Sequence, residues 1–111
     1  MQFYLCQGNY TQDAIKNLVA HPEDRSKAVA KMCEDLGGKL HHFFMSFGEH
    51  DFTVVIELPD DDAAAALAMG TSAVGHVSGF KTTKLITPQQ AVAAMARGAK
   101  VQGSLKPPKG K

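Results

Sequence analysis

The stretch from Lys39 to Leu58 constrains the fold most. Two runs rich in aromatic and β-branched residues flank the short polar segment Gly48-Glu49-His50-Asp51. This pattern predicts a β-hairpin that reverses direction at the polar segment. Because side chains alternate along a strand, the residues of the first hairpin strand are expected to form two sets on opposite faces of the sheet. They are Leu40, His42, Phe44 and Ser46 on one face, and His41, Phe43, Met45 and Phe47 on the other.

Strand and helix signals lie on both sides of the hairpin. Before it come a strand over Phe3–Gln7, a helix capped by Thr11 and a longer helix that begins at Pro22 and ends at Gly37-Gly38. After it come an Ala-rich helix that starts at Asp60-Asp61-Asp62 and a strand from about Phe80 to Ile86. Thr87 and Gln90 then form a capping-box pattern, which predicts a last helix as far as Gly98.

This order predicts an α+β protein of the ferredoxin-like βαββαβ type with an added C-terminal helix. Its four strands form an antiparallel sheet, and the helices cover one face. The other face would then carry Phe43, Met45, Phe47 and Val55. Because an uncovered apolar face of this size is unusual in a monomer, we expect a sheet-to-sheet homodimer of the dimeric α/β barrel kind. The C-terminal helix is an alternative cover.

The length of 111 residues predicts one domain, which we place at residues 1–98, followed by a flexible basic tail at residues 99–111. Cys6 and Cys33 lack metal or redox spacing and are expected to be buried, reduced thiols. With no secretory signal pattern and no apolar run of about 20 residues, we expect a cytoplasmic protein with no membrane contact. The tail lysines have no interleaved aromatic residues, so we expect no nucleic-acid partner.

Several segments resemble the GYD domain family. They are Gly37-Gly-Lys-Leu40, the turn Gly48-Glu-His-Asp51 running into Phe52–Asp61, Asp13-Ala-Ile-Lys16 and Phe80-Lys-Thr-Thr83. The resemblance covers roughly residues 3–96 and implies a small ferredoxin-like fold related to the dimeric α/β barrels, in a family mostly of unknown function. The sequence departs from the family at the third position of the turn, where His50 replaces the usual tyrosine.

The same turn is similar to that of the effector-binding domain of leucine-responsive, AsnC-type regulators. In that domain a comparable hairpin lies near an oligomer interface that binds amino acids. The sequence contains no helix-turn-helix segment, so this likeness does not imply direct DNA binding.

Few residues in the sequence suggest a catalytic or ligand-binding role. The catalytic candidates are His42, His50 and Asp51, and the candidates for ligand contact are Tyr4, His42, Phe44, Gly48 and Asp51. Asp51 has an alternative structural role, which is to accept backbone N–H bonds at the turn while Gly48 supplies an unusual backbone angle. His41 and His42 are expected on opposite faces. The sequence has no metal-ligand spacing, so we expect no metal site, and it leaves the cofactor open with none expected.

Three functions remain compatible with this sequence. The first is a homo-oligomeric regulatory module that binds a small, largely apolar molecule between sheet and helices or at the dimer interface. The second is a cofactor-independent isomerase or monooxygenase of the dimeric α/β barrel type. The third is a structural subunit whose role is assembly. A pocket that holds His42 or Tyr4 would favour the enzyme, and a solid core would favour assembly.

Overall fold

A computed structural model describes residues 1–105 together with Pro107 and Pro108. Its elements follow in the order β1 (Gln2–Tyr10), α1 (Gln12–Ala20), α2 (Ser26–Asp35), β2 (Lys39–Met45), β3 (Phe52–Leu58), α3 (Asp61–Val74), β4 (Val77–Leu85) and α4 (Pro88–Ser104). The four strands form one sheet in the order β2-β3-β1-β4, and every neighbouring pair is antiparallel. The predicted α+β class with ferredoxin-like topology is therefore confirmed.

The core lies between one face of the sheet and helices α2 and α3. The side chains that alternate onto this face of β1 and β3 are buried, whereas those between them are half-buried. The buried core consists of Tyr4, Cys6, Cys33, Phe52, Val54, Ile56, Leu58, Ala64 and Leu67. The central strands thus separate a helix-covered face from an open face.

Local signals set most helix ends as predicted. The side chain of Thr11 accepts from Ala14 N at the start of α1, and that of Asp60 accepts from Ala63 N at the start of α3. Thr87 and Gln90 form the reciprocal capping box of α4. The prediction that the second helix begins at Pro22 is wrong, because α2 begins at Ser26, whose N–H donates to the Asp24 carboxylate at 2.9 Å.

A β-bulge in β2 overturns the predicted faces of that strand. Leu40 pairs with Ile56, and His42, two residues later, pairs with Val55, the residue adjacent to Ile56. Two steps along β2 therefore correspond to one step along β3, which shifts the register between Leu40 and His42. The extra residue reverses the alternation. Leu40 and Phe43 therefore both pack against the core, and His42 and Phe44 lie on the open face.

Two further consequences of the bulge correct the sequence reading. His41 and His42 do not lie on opposite faces, because His41 bonds Glu57 and packs near Phe3, both of the open face. Phe43 and Met45 do not line the open face, and Phe47 lies in the hairpin loop, fully exposed. Val55 does lie on the open face as predicted.

Helix α4 projects away from the rest of the protein. None of its residues is buried, and the apolar side chains of Val92, Met95 and Val101 are largely exposed. The molecule measures 63 × 34 × 22 Å, an elongated shape for a chain of this length. The helix continues past Gly98 to Ser104, so it includes the first part of the predicted tail. Lys106 and residues 109–111 of that tail lie outside the described residues.

Candidate functional site

An apolar cavity of about 120 Å³ lies between the sheet and the helices. Its floor is the helix-covered face of the sheet, where Cys6, Val54 and Ile56 are almost completely buried. Three aromatic rings from different strands, Phe43, Phe52 and Phe80, also line it. The alternation of β1 and β3 and the bulge in β2 together direct these side chains into one space.

Helices α2 and α3 form the roof of the cavity. Val29 and Met32 contribute from α2, and Leu67 and Thr71 from α3. The α3 residues that face the sheet follow helical spacing, in the order Ala64, Leu67 and Thr71. Thr71 thus occupies a core-facing position at which an aliphatic residue is the usual occupant.

The hydroxyl of Thr71 is buried without a hydrogen-bond partner. Among the described residues, it and the Nδ1 atom of His50 are the buried side-chain polar atoms in this state. A buried hydroxyl that makes no hydrogen bond costs about 1–3 kcal/mol. The Thr71 side chain lines the cavity, but its hydroxyl oxygen has almost no accessible surface there.

Two of the side chains that line the cavity, Arg25 and His76, also reach solvent. Arg25, at the start of α2, lines the cavity with 38% of its side chain exposed, and its Nη1 atom donates to Glu23 Oε1 at 2.8 Å. His76, which follows α3, lines the same end and is exposed. The site therefore combines an apolar interior with a polar end that reaches solvent.

The cavity thiol is poorly suited to nucleophilic chemistry. Burial raises the pKa of Cys6 to about 11, so the thiol is protonated near neutral pH. Burial also raises the pKa of Cys33. Both cysteines are free and buried, as the sequence predicts.

Tyr4, a predicted ligand contact, does not line the cavity. Its ring is buried, and its hydroxyl donates to Asp61 Oδ1 at 2.6 Å, at the start of α3. Lys84 Nζ donates to the same oxygen at 2.9 Å. Burial and the bond to Asp61 raise the pKa of Tyr4 to about 12. Tyr4 thus joins β1 to α3 as a protonated phenol.

The bond between Tyr4 and Asp61 predicts a pH-dependent effect on stability. Hydrogen bonds from Tyr4 and Lys84 lower the pKa of the Asp61 carboxyl, so their contribution is present at neutral pH and is lost as the pH falls through that lowered pKa. We expect Tyr4→Phe to lower the urea midpoint at pH 7, with a difference from wild type that shrinks as the pH falls through the lowered pKa of Asp61. A difference that stays constant in acid would contradict the role of the carboxylate, and the Asp61→Asn background should remove the pH dependence.

Asp51 ties the hairpin turn to β1. Its Oδ2 accepts from Tyr10 N at 2.9 Å, and its own N–H donates to Gly8 O at 2.9 Å and to Asn9 Oδ1 at 3.0 Å. The carboxylate therefore supports the irregular end of β1, where the pairing with β4 shifts register. Gly48 lacks the expected unusual angle, because its φ is not positive.

We expect Asp51→Ala to lower the free energy of unfolding by roughly 2 kcal/mol. The substitution leaves the half-buried N–H of Tyr10 without its charged acceptor. Glu49→Ala, in the same turn but exposed, is the matched control and should have little effect. Chemical denaturation of both variants measures the difference, and equal stability of the two would contradict the proposed bond.

The other candidates lie apart from the cavity. His50 is half-buried in the turn, where its carbonyl oxygen accepts from Ser46 Oγ at 2.7 Å. His42 and Phe44 are exposed on the open face, with their rings stacked at 6.0 Å. None of His42, His50 and Asp51 lines the cavity, so the structure does not bring the three catalytic candidates to one pocket.

Sequence reasoning missed Thr71 and Arg25. A signal for Thr71 existed, because it continues the three- and four-residue spacing of Ala64 and Leu67. Arg25 gave no such signal, since its place at the cavity end depends on where α2 begins.

Two further properties of the described residues bear on the site. Within them, no three His, Cys, Asp or Glu side chains come together as a potential metal site. None of the described helices has the length and apolar content to cross a membrane.

The protein is thus a small α+β protein with a cavity between its sheet and helices. The GYD domain family model matches residues 4–95, which is most of the chain, so the protein belongs to the GYD domain family. Comparison with curated proteins found no match. Comparison with solved structures also found none.

Proposed function

We propose that the protein is a homo-oligomeric module that binds a small, largely apolar molecule in the cavity between sheet and helices. The observation that carries this proposal is the cavity itself. It has aromatic and aliphatic walls, and the side chains of Arg25 and His76 that line it reach solvent. Ligand pockets in proteins commonly have this composition, an apolar lining with few polar groups that orient the ligand.

The cavity favours binding over the two alternative functions. An isomerase or monooxygenase needs an acid or base beside its substrate, but neither His42 nor Tyr4 lines the cavity, and the Cys6 thiol is protonated. The histidine that does line the cavity, His76, is exposed to solvent and does not lie in the apolar interior. A subunit with only an assembly role has no need of a cavity in its core. The geometry therefore supports the binding module best.

The open face of the sheet supports assembly into a dimer. Its apolar side chains are Phe3, Leu5, Phe44, Val55 and Leu85. Val55 also belongs to the set predicted from the sequence, and the other four take the place of Phe43, Met45 and Phe47. Helix α4 has no buried residue and leaves this face uncovered. A second copy of the chain would cover this face if the open faces of the two sheets packed together in a two-fold dimer.

The two proposed activities share the same strands. Phe52, Val54 and Ile56 point into the core, and the residues between them point to the open face. A ligand that shifts β3 from the cavity side therefore also shifts the surface that contacts the second copy. This arrangement gives the module a physical route to regulation, in which ligand binding and dimer stability affect one another.

Native mass spectrometry of the protein purified from its own cells tests the proposal. We expect a dimer that carries a reproducible extra mass, which is lost on denaturation. Val29→Phe places a ring in the cavity and should remove the extra mass. Its folding is checked by its thermal melting curve.

The control is Val19→Phe, the same substitution at an exposed position of α1, which should retain the mass. Protein without any bound mass would contradict the binding proposal, as would a mass that persists in a folded Val29→Phe variant. A monomer would contradict the dimer alone.

A further inference from the structure

One side chain stands between the interior cavity and the surface. Two open grooves lie on the outside of the protein beside the cavity, one lined by Asn17 and His21 and the other by Val19 and Met45. Among the described residues that line these three spaces, Arg25 is the one that lines all of them. Its side chain therefore lies where the three spaces meet, and a molecule that moves from either groove into the interior passes beside it.

The Arg25 side chain is held at this position from the outside. Its Nη1 atom donates to Glu23 Oε1 at 2.8 Å, and Glu23 lines both grooves but not the cavity. The side chains of Arg25 and Glu23 are 38% and 55% exposed. An ion pair exposed to this degree adds little stability and breaks and re-forms readily, because water competes for both partners. The contact thus restrains the guanidinium without fixing it permanently.

The backbone at Arg25 is anchored more firmly than its side chain. Arg25 is the N-cap residue of α2, and its carbonyl oxygen accepts from Val29 N at 3.2 Å in the first turn. Val29 lines the cavity, so this turn is part of the cavity wall. Residues 21–24, which precede it, are exposed and belong to no helix or strand. A swing of the Arg25 side chain therefore requires no change in α2 or in the core.

We propose that the Arg25 side chain is a gate that controls passage between the grooves and the cavity. The gate is closed while Arg25 is bonded to Glu23, and it is open when the guanidinium swings away. This inference rests on the proposed function, because it describes how a molecule enters and leaves the same cavity. The gate also makes entry sensitive to salt, since dissolved ions screen an exposed ion pair and so favour the open position.

The two cysteines provide a test of the gate that needs no ligand. Cys6 lines the cavity and is 3% exposed, whereas Cys33 is fully buried on α2 and does not line the cavity. Iodoacetamide is a small neutral reagent that alkylates cysteine thiolates, and peptide mass mapping gives the rate at each cysteine of the full chain. Because burial raises the pKa of both thiols, both react slowly once the reagent reaches them. Alkylation of Cys6 then reports opening of the cavity, and alkylation of Cys33 reports opening of the whole core.

Substitutions at the gate should change the alkylation rate of Cys6 alone. We expect Arg25→Ala to raise this rate about tenfold, because the truncated side chain leaves the passage open. Glu23→Gln keeps the Arg25 side chain but removes the ion pair, and it should raise the rate roughly threefold. Sodium chloride at about 1 M should raise the rate in wild type but not in Glu23→Gln. Arg97→Ala and Glu49→Gln make the same changes at exposed positions elsewhere and should alter neither rate.

Three results would overturn the gate. An unchanged Cys6 rate in Arg25→Ala would show that this side chain does not block the passage. An unchanged Cys6 rate in Glu23→Gln would make Arg25 a fixed part of the wall. Equal increases at Cys6 and Cys33 would mean that the substitutions loosen the whole core. Because the alkylation uses no ligand, its result is independent of the bound mass in native mass spectrometry, so the gate and the binding function can fail separately.

Discussion

Val55→Lys is expected to convert the proposed sheet-to-sheet dimer into a monomer. Val55 lies in the middle of the open face, in a row of paired residues that runs His42, Val55, Leu5 and Thr83 across the sheet. A two-fold dimer built on this face would bring two ammonium groups into a dry interface. The cost is roughly 4 kcal/mol, which raises the dissociation constant about a thousandfold.

Light scattering on an eluting column measures this effect. Wild type should have twice the chain mass of 11.9 kDa, and Val55→Lys should have the chain mass itself. The lysine stem can lie along the sheet with its charge in water, so the monomer should remain folded. Val19→Lys makes the same change on exposed α1 and should stay dimeric. A dimeric Val55→Lys protein would show that the open face is not the interface.

Gly38→Ala is expected to lower the free energy of unfolding by about 3 kcal/mol or more. Gly38 lies between the end of α2 and the start of β2. A Cβ atom at this position would stand 2.1 Å from the carbonyl oxygen of Glu57 and 2.7 Å from Leu58 Cδ2. Because a backbone atom of the neighbouring strand blocks the methyl group, β2 and β3 would have to separate.

Gly48→Ala is the matched control for this substitution. A Cβ at Gly48 would meet nothing within 4 Å, and its φ is not positive. We expect its urea midpoint to stay close to that of wild type, whereas Gly38→Ala should unfold at much lower urea or fail to fold. A Gly38→Ala midpoint near that of wild type would mean that the two strands tolerate a wider spacing than the structure has.

The sequence was most informative where a few adjacent residues determine the structure. Thr11, Asp60 and the pair Thr87 and Gln90 each act within four residues, and each caps the helix that it predicts. The turn of α2 into β2 was also predictable. Gly37 adopts φ +80°, and the N–H of Gly38 bonds Cys33 O, which closes the helix as a Schellman motif.

The open face could not be predicted from alternation alone. A strict period of two assigns Phe43 to the open face, but the bulge between Leu40 and His42 moves it to the core. The extra residue is specified by pairing with Val55 and Ile56 of β3, which lie outside the local stretch of sequence that defines the alternation. Of the four residues predicted for the open face, Val55 lies on it, whereas Phe43, Met45 and Phe47 do not. The cover predicted for this face stays a prediction.

The candidate site, like the open face, could be predicted from the sequence only in part. The structural role considered for Asp51 is confirmed in substance, because its carboxylate accepts a backbone N–H, but the donor is Tyr10 on another strand. The cavity arises where side chains of three strands and two helices fail to fill a shared space. A volume of that kind depends on packing, so motif spacing could not reveal it.

Projection of α4 makes the molecule a strong electric dipole. Residues 1–87 hold all eleven acidic residues and seven of the twelve basic ones, whereas α4 carries Arg97 and Lys100 and no acid. The positive charge is thus held on an arm that departs from a negative body. At low ionic strength, two approaching copies experience a torque that turns the arm of one towards the body of the other. At physiological salt this orienting force fades beyond about 8 Å, so it acts only in the last stage of an encounter.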